Sequence, residues 1–212
     1  MKLLVLGGTG RIGREIVAQA LTRGHGITAQ SRSTCRHGLP PSVTMVQADP
    51  SDPAALAGAL AGQDAVIYAL GFRARGEVSF FSATTKALIA AMQASGPQRL
   101  IAITGVGAGD TKGHGGFFYD FLIYPLFTKN LYADKDRQEA LIRASRLDWT
   151  ILRPAPFTSR PGNEPFHTLT AIAPGTRLSS VTIAEVAGLA LDCVEQGLHR
   201  REAVFFGHGV AA

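Results

Sequence analysis

The chain has 212 residues, a length that suits one well-buried domain. Apolar residues make up 46% of it and charged residues 17%, a balance that excludes a disordered protein. The net charge of +5 comes mostly from arginines scattered along the chain rather than gathered in a run. We therefore expect no nucleic-acid partner.

Neither the cysteines nor the apolar runs indicate a secreted or membrane protein. Cys35 and Cys193 lie far apart and form no metal-binding or disulfide pattern. The N-terminal apolar run ends at Gly7, which is too short for a signal peptide. The most apolar later run, 115–127, is shorter than the ~20 residues that a membrane-spanning helix needs. We expect a cytoplasmic protein with no membrane partner.

Apolar runs alternate with helical patterns along most of the chain. The expected strands are 2–6, 27–31, 44–48, 64–70, 99–104, 149–153 and 203–207, and the expected helices are 12–22, 49–62, 79–95, 132–145 and 182–197. Residues 105–130 show no period, and the pattern weakens beyond Pro154.

This alternation predicts an α/β fold with a doubly wound parallel sheet of Rossmann type and helices on both faces. We expect a single domain over 1–212, in which 155–212 form a small C-terminal cap on the substrate side.

A glycine-rich loop joins the first expected strand to the first expected helix. Its spacing is Gly7-x-x-Gly10-x-x-Gly13, with no Gly-Lys-Ser/Thr of a mononucleotide P-loop. Gly7 suits a tight turn, Gly10 a close approach of backbone to pyrophosphate, and Gly13 close helix–strand packing. The loop predicts a dinucleotide whose pyrophosphate lies at the helix N-terminus.

The end of the second strand predicts which dinucleotide binds. NAD-specific sites commonly place an acid there for the ribose 2′-hydroxyl, but this chain has Ser31, Arg32 and Ser33. An arginine fork suits a 2′-phosphate, and Arg11 in the glycine loop can reach the same group. The prediction is NADP(H) rather than NAD(H); the alternative is that Arg32 is a plain surface residue.

Two further strand ends supply candidate cofactor contacts. Asp49, just past the third strand, is placed to accept from the adenine amino group; alternatively, Asp49 or Asp52 caps the next helix. Ala69, Leu70 and Gly71 end the fourth strand, where small residues let a cofactor pass close to the backbone.

Five stretches carry a resemblance to a known family: GGTGRIG (7–13), QADPSDPAAL (47–56), DAVIYALG (64–71), LIAITGVGAG (100–109) and DKDRQEALIRASRLDWTILRPAPFT (134–158). They resemble the atypical branch of the short-chain dehydrogenase/reductase superfamily, an NAD(P)H-binding group that includes NmrA-like regulators and biliverdin reductase B, which also reduces flavins. The last stretch is similar to that branch's Lys-x-x-x-Glu…Ser-x-Leu-Asp-Trp-Thr-Ile-x-Arg-Pro pattern. The resemblance covers roughly residues 2–157.

The resemblance implies a catalytic set, from which this chain departs at one position. The superfamily uses Ser or Thr after the fifth strand and then Tyr-x-x-x-Lys; Thr104 and Lys135 match, but Leu131 stands at the tyrosine position. Tyr132 follows one residue later and can still share a helix face with Lys135. Tyr132 is therefore a candidate acid, or it only packs. Lys135 is a candidate for binding the nicotinamide ribose, or it is a surface lysine.

The full predicted site combines these residues with RPAPFT (153–158), which is expected to close over the nicotinamide. The catalytic candidates are Thr104, Tyr132 and Lys135; the cofactor-binding candidates are Gly7, Thr9, Gly10, Arg11, Ile12, Gly13, Ser31, Arg32, Ser33, Asp49, Pro50, Ala69, Leu70, Gly71, Thr104, Gly105, Lys135, Pro154, Ala155, Pro156 and Phe157. No metal is expected, because His114, His167 and His208 share no ligand spacing.

The missing tyrosine favours an acceptor that needs no positioned acid. A flavin, quinone or extended tetrapyrrole spreads the added charge over a conjugated system, so we expect an NADPH-dependent reductase of a small planar acceptor. The aromatic stretch with Phe117, Phe118, Tyr119, Phe121, Tyr124 and Phe127 either walls the acceptor pocket or covers a partner subunit in a homodimer. The alternatives are a non-catalytic NADP(H)-sensing regulator and, less favoured, a nucleotide-sugar epimerase or dehydratase.

Overall fold

In the part of the chain that the structure describes, the fold is one nine-stranded sheet. A computed structural model describes residues 1–33, 35–71, 78–106, 129–173 and 175–210. The strands are β1 (Lys2–Leu6), β2 (Gly26–Ser31), β3 (Thr44–Gln47), β4 (Ala65–Tyr68), β5 (Arg99–Ile103), β6 (Asp148–Pro154), β7 (Phe166–Leu169), β8 (Arg177–Ser180) and β9 (Glu202–Val210). Their order is β3-β2-β1-β4-β5-β6-β9-β7, and β8 also pairs with β9.

Strands β1 to β6 and β9 run parallel, whereas β7 and β8 run antiparallel to β9. The helices are α1 (Arg11–Thr22), α2 (Pro53–Leu60), α3 (Phe80–Ser95), α4 (Lys129–Ala144) and α5 (Ile183–Glu195). α1 packs against α5 on one face of the sheet, and α2, α3 and α4 pack in sequence on the other. The predicted doubly wound Rossmann-type fold is confirmed. Within the described ranges, no helix combines the length and the apolar composition that crossing a membrane requires.

Strand β1 shows why the central strands are continuously apolar. Leu3 and Val5 pack into the hydrophobic cluster under α1 and α5, and Leu4 and Leu6 pack into the cluster under the other helices. Successive side chains of a strand point to opposite faces, and both faces are covered here. A strand in this position therefore has no solvent-facing position for a polar residue.

The C-terminal part departs most from the sequence prediction. β7 and β8, each of four residues with mixed polarity, were not predicted, and β9 covers 202–210 rather than 203–207. Gly209 interrupts its apolar run because a Cβ there would lie 2.0 Å from the carbonyl oxygen of Arg177 on β8. Close pairing thus requires a residue that weakens the strand signal. α4 also begins at Lys129 rather than at 132.

A side chain of α4 caps the start of α3. Asp134 is completely buried and accepts hydrogen bonds from the backbone N–H of Phe81 (2.7 Å) and Ser82 (3.4 Å) and from the Ser82 hydroxyl. Arg137 donates to the same carboxylate at 3.2 Å. Because these N–H groups have no partner within their own helix, α3 depends on α4 for its first turn.

We expect Asp134→Ala to lower the free energy of unfolding by about 3 kcal/mol, because it leaves the buried N–H of Phe81 and the part-buried donors of Ser82 without their acceptor. The matched control is Asp52→Ala. Asp52 caps α2 from an exposed position through one bond to the N–H of Ala54 (2.9 Å), and its loss costs about 1 kcal/mol. Denaturant unfolding of both variants measures the difference. Equal losses would show that burial adds nothing to the Asp134 cap.

Candidate functional site

The glycine loop brings β1 and α1 into close backbone contact. The N–H of Gly10 donates to the carbonyl of Gly7 at 2.8 Å, which closes the turn. A Cβ on Gly13 would lie 2.1 Å from the same Gly7 oxygen, so no larger residue fits at this position in the first turn of α1. This is the close helix–strand packing that the glycine spacing predicts.

The N-terminus of α1 fits an anionic group. Among the described residues, no side chain caps this helix, and its first turn contains no acid. Backbone N–H groups and the helix dipole at such an end favour a phosphate, and the exposed side chain of Arg11 adds a positive charge. The loop and helix together can therefore hold the pyrophosphate of a dinucleotide.

The sequence analysis missed Gln30, which supports the glycine loop from β2. Its side chain is buried; Oε1 accepts from the N–H of Gly7 at 3.2 Å, and Nε2 donates to the carbonyl of Ala48 at 2.8 Å. The amide thus ties the loop to the chain just past β3. A long polar side chain near the end of a mostly buried strand was the available signal.

Three of the residues predicted around the 2′-phosphate, Ser31, Arg32 and Ser33, are consecutive at the end of β2. Thr9 donates its hydroxyl to Ser31 Oγ at 3.3 Å, and the N–H of Ser33 donates to the same oxygen at 3.1 Å. Arg32 is exposed, and its guanidinium carbon lies 6.0 Å from the ring centroid of Phe80 at the start of α3. The arginine therefore borders this cluster with its charge accessible to a ligand.

Of the two candidate caps for α2, Asp52 makes the capping bond. Asp49 is exposed and accepts from the hydroxyl (2.6 Å) and the N–H (2.9 Å) of Ser51, which lowers the pKa of its carboxyl. Pro50 is buried beside it. The carboxylate stays at the surface where an adenine contact is predicted.

A single pocket of about 360 Å³ connects the glycine loop with the catalytic candidates, a volume within the range of small-molecule sites. Eleven predicted site residues line it: Gly10, Arg11, Ile12, Ala69, Leu70, Gly71, Thr104, Tyr132, Lys135, Pro154 and Phe157. Three lining residues were not predicted as site residues: Phe81, Ile103 and Leu131. The remaining predicted residues lie outside this lining: Gly7, Thr9, Gly13, Ser31, Arg32, Ser33, Asp49, Pro50, Gly105, Ala155 and Pro156.

The last residue of β6 and one residue of the segment after it line the pocket. Pro154 and Phe157 line it, whereas Ala155 is buried in the core under α1 and α5. The carbonyl of Pro156 accepts from the N–H of Val181, which fixes the segment against the end of β8. The aromatic stretch 115–127, predicted to wall a pocket or cover a partner, lies outside the described residues.

Tyr132 and Lys135 do share one pocket despite their spacing. Tyr132 is mostly buried, and its hydroxyl oxygen would lie 3.3 Å from a Cβ on Gly105, just past Thr104. The Lys135 ammonium donates to the carbonyl of Thr104 and lies 4.7 Å from the ring centroid of Phe81. Lys135 is therefore a buried lysine, not a surface one.

Burial changes the acid–base behaviour of Lys135. Loss of solvent lowers the pKa of its ammonium from 10.5 to about 8, although the carboxylates of Glu139 and Asp134 oppose the shift. At pH 7 the side chain is thus mostly protonated, yet it can exchange a proton near neutral pH.

A buried ion pair stands behind Thr104. Arg153 on β6 donates from Nε to Glu139 Oε1 (3.0 Å) and from its terminal nitrogen to Oε2 (2.6 Å), and the Thr104 hydroxyl donates to Oε1 at 2.8 Å. The sequence analysis assigned no role to Glu139 or Arg153. Glu139 follows Lys135 by four residues, so both lie on one face of α4, and that spacing was the available signal.

The chain is similar to a known protein family. The model of a family described as NAD(P)H-binding matches residues 7–197. The chain belongs to this NAD(P)H-binding family. The match covers most of the chain and confirms the NAD(P)H binding that the resemblance implies. It includes the glycine loop, both candidate residues of α4, and α5.

Individual proteins are similar to the chain in fold or in sequence. The chain is 32% identical to a Burkholderia pseudomallei protein provisionally described as exported, with a TM-score of 0.76, covering 98% of this chain and 100% of that one. A Streptococcus pneumoniae protein provisionally described as an NADH-flavin reductase is 23% identical, with a TM-score of 0.76 and coverage of 99% and 100%. The photosystem II assembly factor Ycf39 of Synechocystis is 30% identical over 163 residues, which span 74% of this chain and only 45% of that protein.

The buried lysine makes stability depend on pH in a defined direction. Between pH 8 and 10.5 the unfolded chain holds a proton that folded Lys135 has lost, so this group makes the wild type more stable as pH rises. Lys135→Met lacks the effect. We therefore compare the free energy of unfolding of the variant with that of the wild type. The difference, variant minus wild type, is expected to decrease by about 3 kcal/mol between pH 7 and pH 10.5, because only the wild type gains stability over that range.

Denaturant unfolding of the cofactor-free protein at several pH values measures this difference. Lys86→Met, which removes an exposed lysine of α3, corrects for the loss of one positive charge. A difference between wild type and Lys135→Met that stays constant with pH contradicts the low pKa.

Proposed function

We propose that the protein is an NADPH-dependent oxidoreductase that transfers a hydride to a small planar conjugated acceptor such as a flavin or quinone. The observation that carries the proposal is the continuity of one pocket from the N-terminus of α1 to Tyr132 and Lys135. The anion-binding N-terminus of α1 would then hold the cofactor, and the two proton-bearing side chains would lie in the same pocket beside the acceptor.

The bound nicotinamide supplies a hydride, so that NADPH is converted to NADP⁺ while the acceptor takes the hydride and a proton from solvent. Lys135 is placed to hold the ribose side of the cofactor from a position fixed by its bond to the Thr104 carbonyl. Pro154 and Phe157 close the other side of the pocket. These residues act by orientation and by excluding water.

The pocket walls support a flat apolar acceptor. Leu70, Phe81, Leu131 and Phe157 line the space beside the catalytic candidates. Phe157 is 45% exposed, so it stands at the rim where an acceptor enters. The likeness in fold to the Streptococcus protein provisionally described as an NADH-flavin reductase agrees with such an acceptor.

The preference for NADPH over NADH rests on two exposed arginines. Arg11 lines the pocket at the glycine loop, and Arg32 follows β2 beside Ser31 and Ser33. Hydroxyls, backbone N–H groups and a guanidinium are the groups that bind a phosphate monoester. An acid that would bind a free 2′-hydroxyl is lacking at the end of β2, residues 31–33.

Oxidation of NADPH, followed with FMN, riboflavin and menadione as acceptors, tests the proposal. We expect turnover with at least one of them and a lower rate with NADH. Tight NADPH binding with no turnover on any acceptor would instead support a non-catalytic NADP(H)-sensing regulator. Cofactor binding measured by tryptophan-to-nicotinamide energy transfer separates that outcome from a failure to bind, since Trp149 is the single tryptophan.

We expect Arg32→Ala to weaken NADPH binding at least tenfold and NADH binding less than threefold, because only NADPH carries the 2′-phosphate. Titration of each cofactor by calorimetry measures both affinities. Arg14→Ala, which removes an exposed arginine from α1, is the matched control. Equal losses for the two cofactors would remove Arg32 from the phosphate site.

Tyr132→Phe addresses the proton donor. If a conjugated acceptor takes its proton from solvent, kcat with menadione falls less than threefold, whereas loss of a catalytic acid lowers it by a factor of 10² to 10⁴. Steady-state kinetics at pH 7 distinguish the two. A fall of the larger size would make Tyr132 the acid despite its position one residue late.

A further inference from the structure

Glu139 lies next to the pocket but does not line it. Its side chain is buried, and it is not among the described residues that line the pocket. Any influence on the reaction must therefore pass through a neighbour. Of the side chains that hydrogen-bond Glu139 in the described residues, Thr104 lines the pocket, and its hydroxyl donates to Glu139 Oε1 at 2.8 Å.

Arg153 forms an ion pair with that carboxylate. It is itself buried and donates two hydrogen bonds to Glu139, one to each carboxylate oxygen. An arginine remains charged in proteins, and an ionised carboxylate can only accept. The single proton of the Thr104 hydroxyl is consequently the one shared with Glu139.

The backbone of Thr104 is held from the same helix face. The Lys135 ammonium donates to its carbonyl, and Glu139 accepts from its hydroxyl one helical turn later. The carbonyl and the hydroxyl of Thr104 are thus both engaged by α4, while its backbone N–H donates to Leu152 of β6. In this arrangement the hydroxyl proton points to the ion pair and does not serve a substrate oxygen.

This proton placement bears on the choice of substrate. Reduction of an isolated ketone or aldehyde puts a hydride on the carbonyl carbon and leaves an alkoxide, which then takes a proton. Removing one hydrogen-bond donor from such a developing oxyanion lowers kcat by a factor of about 10² to 10³. A conjugated acceptor spreads the same charge and depends less on that donor.

Resting on the proposed function, we propose that Glu139 is a positioning residue that sets acceptor specificity through Thr104. By holding the Thr104 hydroxyl proton on the Arg153–Glu139 pair, it makes the pocket poor for isolated carbonyls and leaves it suited to conjugated acceptors. Glu139 is therefore a specificity-determining residue that never contacts the acceptor.

The test removes the ion pair as a unit. Glu139→Leu with Arg153→Met replaces a buried pair by apolar side chains, a change that proteins often tolerate, whereas either substitution alone leaves an unpaired buried charge. The readout is kcat/KM for cyclohexanecarbaldehyde divided by kcat/KM for menadione, with NADPH as the reductant. We expect this ratio to rise at least tenfold in the double variant.

Thr104→Val, added to both backgrounds, completes a double-mutant cycle. We expect it to abolish the increased ratio in the double variant and to leave the ratio of the wild-type background unchanged. A ratio that stays within twofold of wild type in the double variant, or an increase that survives Thr104→Val, would show that the ion pair has only a structural role.

A binding measurement keeps the inference testable if the wild type turns over neither acceptor, the outcome that defeats the proposed function. Calorimetry of cyclohexanone binding to the NADP⁺-loaded protein replaces the rate ratio. Tighter binding in the double variant that Thr104→Val reverses supports the role of Glu139, and unchanged binding overturns it.

If the double variant does not fold, the wild type alone provides the test. The Thr104 hydroxyl proton is expected to exchange slowly enough for detection by NMR in protein labelled with ¹³C-threonine, and to show a contact with Glu139. The hydroxyl of Thr22, bound to a backbone carbonyl on the exposed side of α1, is the comparison. Equally fast exchange of both protons overturns the proposal.

Discussion

The separation between Gly13 and the carbonyl oxygen of Gly7 leaves no space for a methyl group, and the geometry of the candidate site depends on that contact. It sets how closely α1 approaches the end of β1. β1 lies between β2 and β4 in the sheet, and the chain leaves it in one direction before returning on the other side at β4. The helix N-terminus therefore lies over the crevice where parallel sheets bind their ligands.

Helix α4 organises the opposite wall through a short sequence of charged residues. Asp134 caps α3, and Lys135 donates a hydrogen bond to the Thr104 carbonyl. Glu139 accepts a hydrogen bond from the Thr104 hydroxyl and pairs with Arg153. Each of these groups is buried, so each needs a partner of opposite character. Together they connect α3, β5 and β6 to one helix, and the pocket lies where those elements meet.

The sequence was sufficient where the signal is local. The glycine spacing, the apolar run of β1 and the Lys135 position follow from residues that are neighbours in the chain. Gly10 of the glycine loop and Lys135 of α4 both line the pocket. The roles of Gln30 and Arg153 were missed because they depend on partners that are distant in the chain, Gly7 and Ala48 for Gln30 and Glu139 of α4 for Arg153. β7 and β8 were missed for a related reason. They are short and pair only with β9, where Gly207 and Gly209 allow β8 to approach closely.

The capping of α3 by Asp134 also limits how the site can move. Because α3 begins on a carboxylate of α4, and Phe81 lies in that first turn against Lys135, the two helices cannot separate without exposing buried donors. This side of the pocket is consequently a stiff block. On the other side, backbone hydrogen bonds and the buried Ala155 hold residues 154–158, while Phe157 already meets solvent, so this is the wall of the pocket that an acceptor meets first.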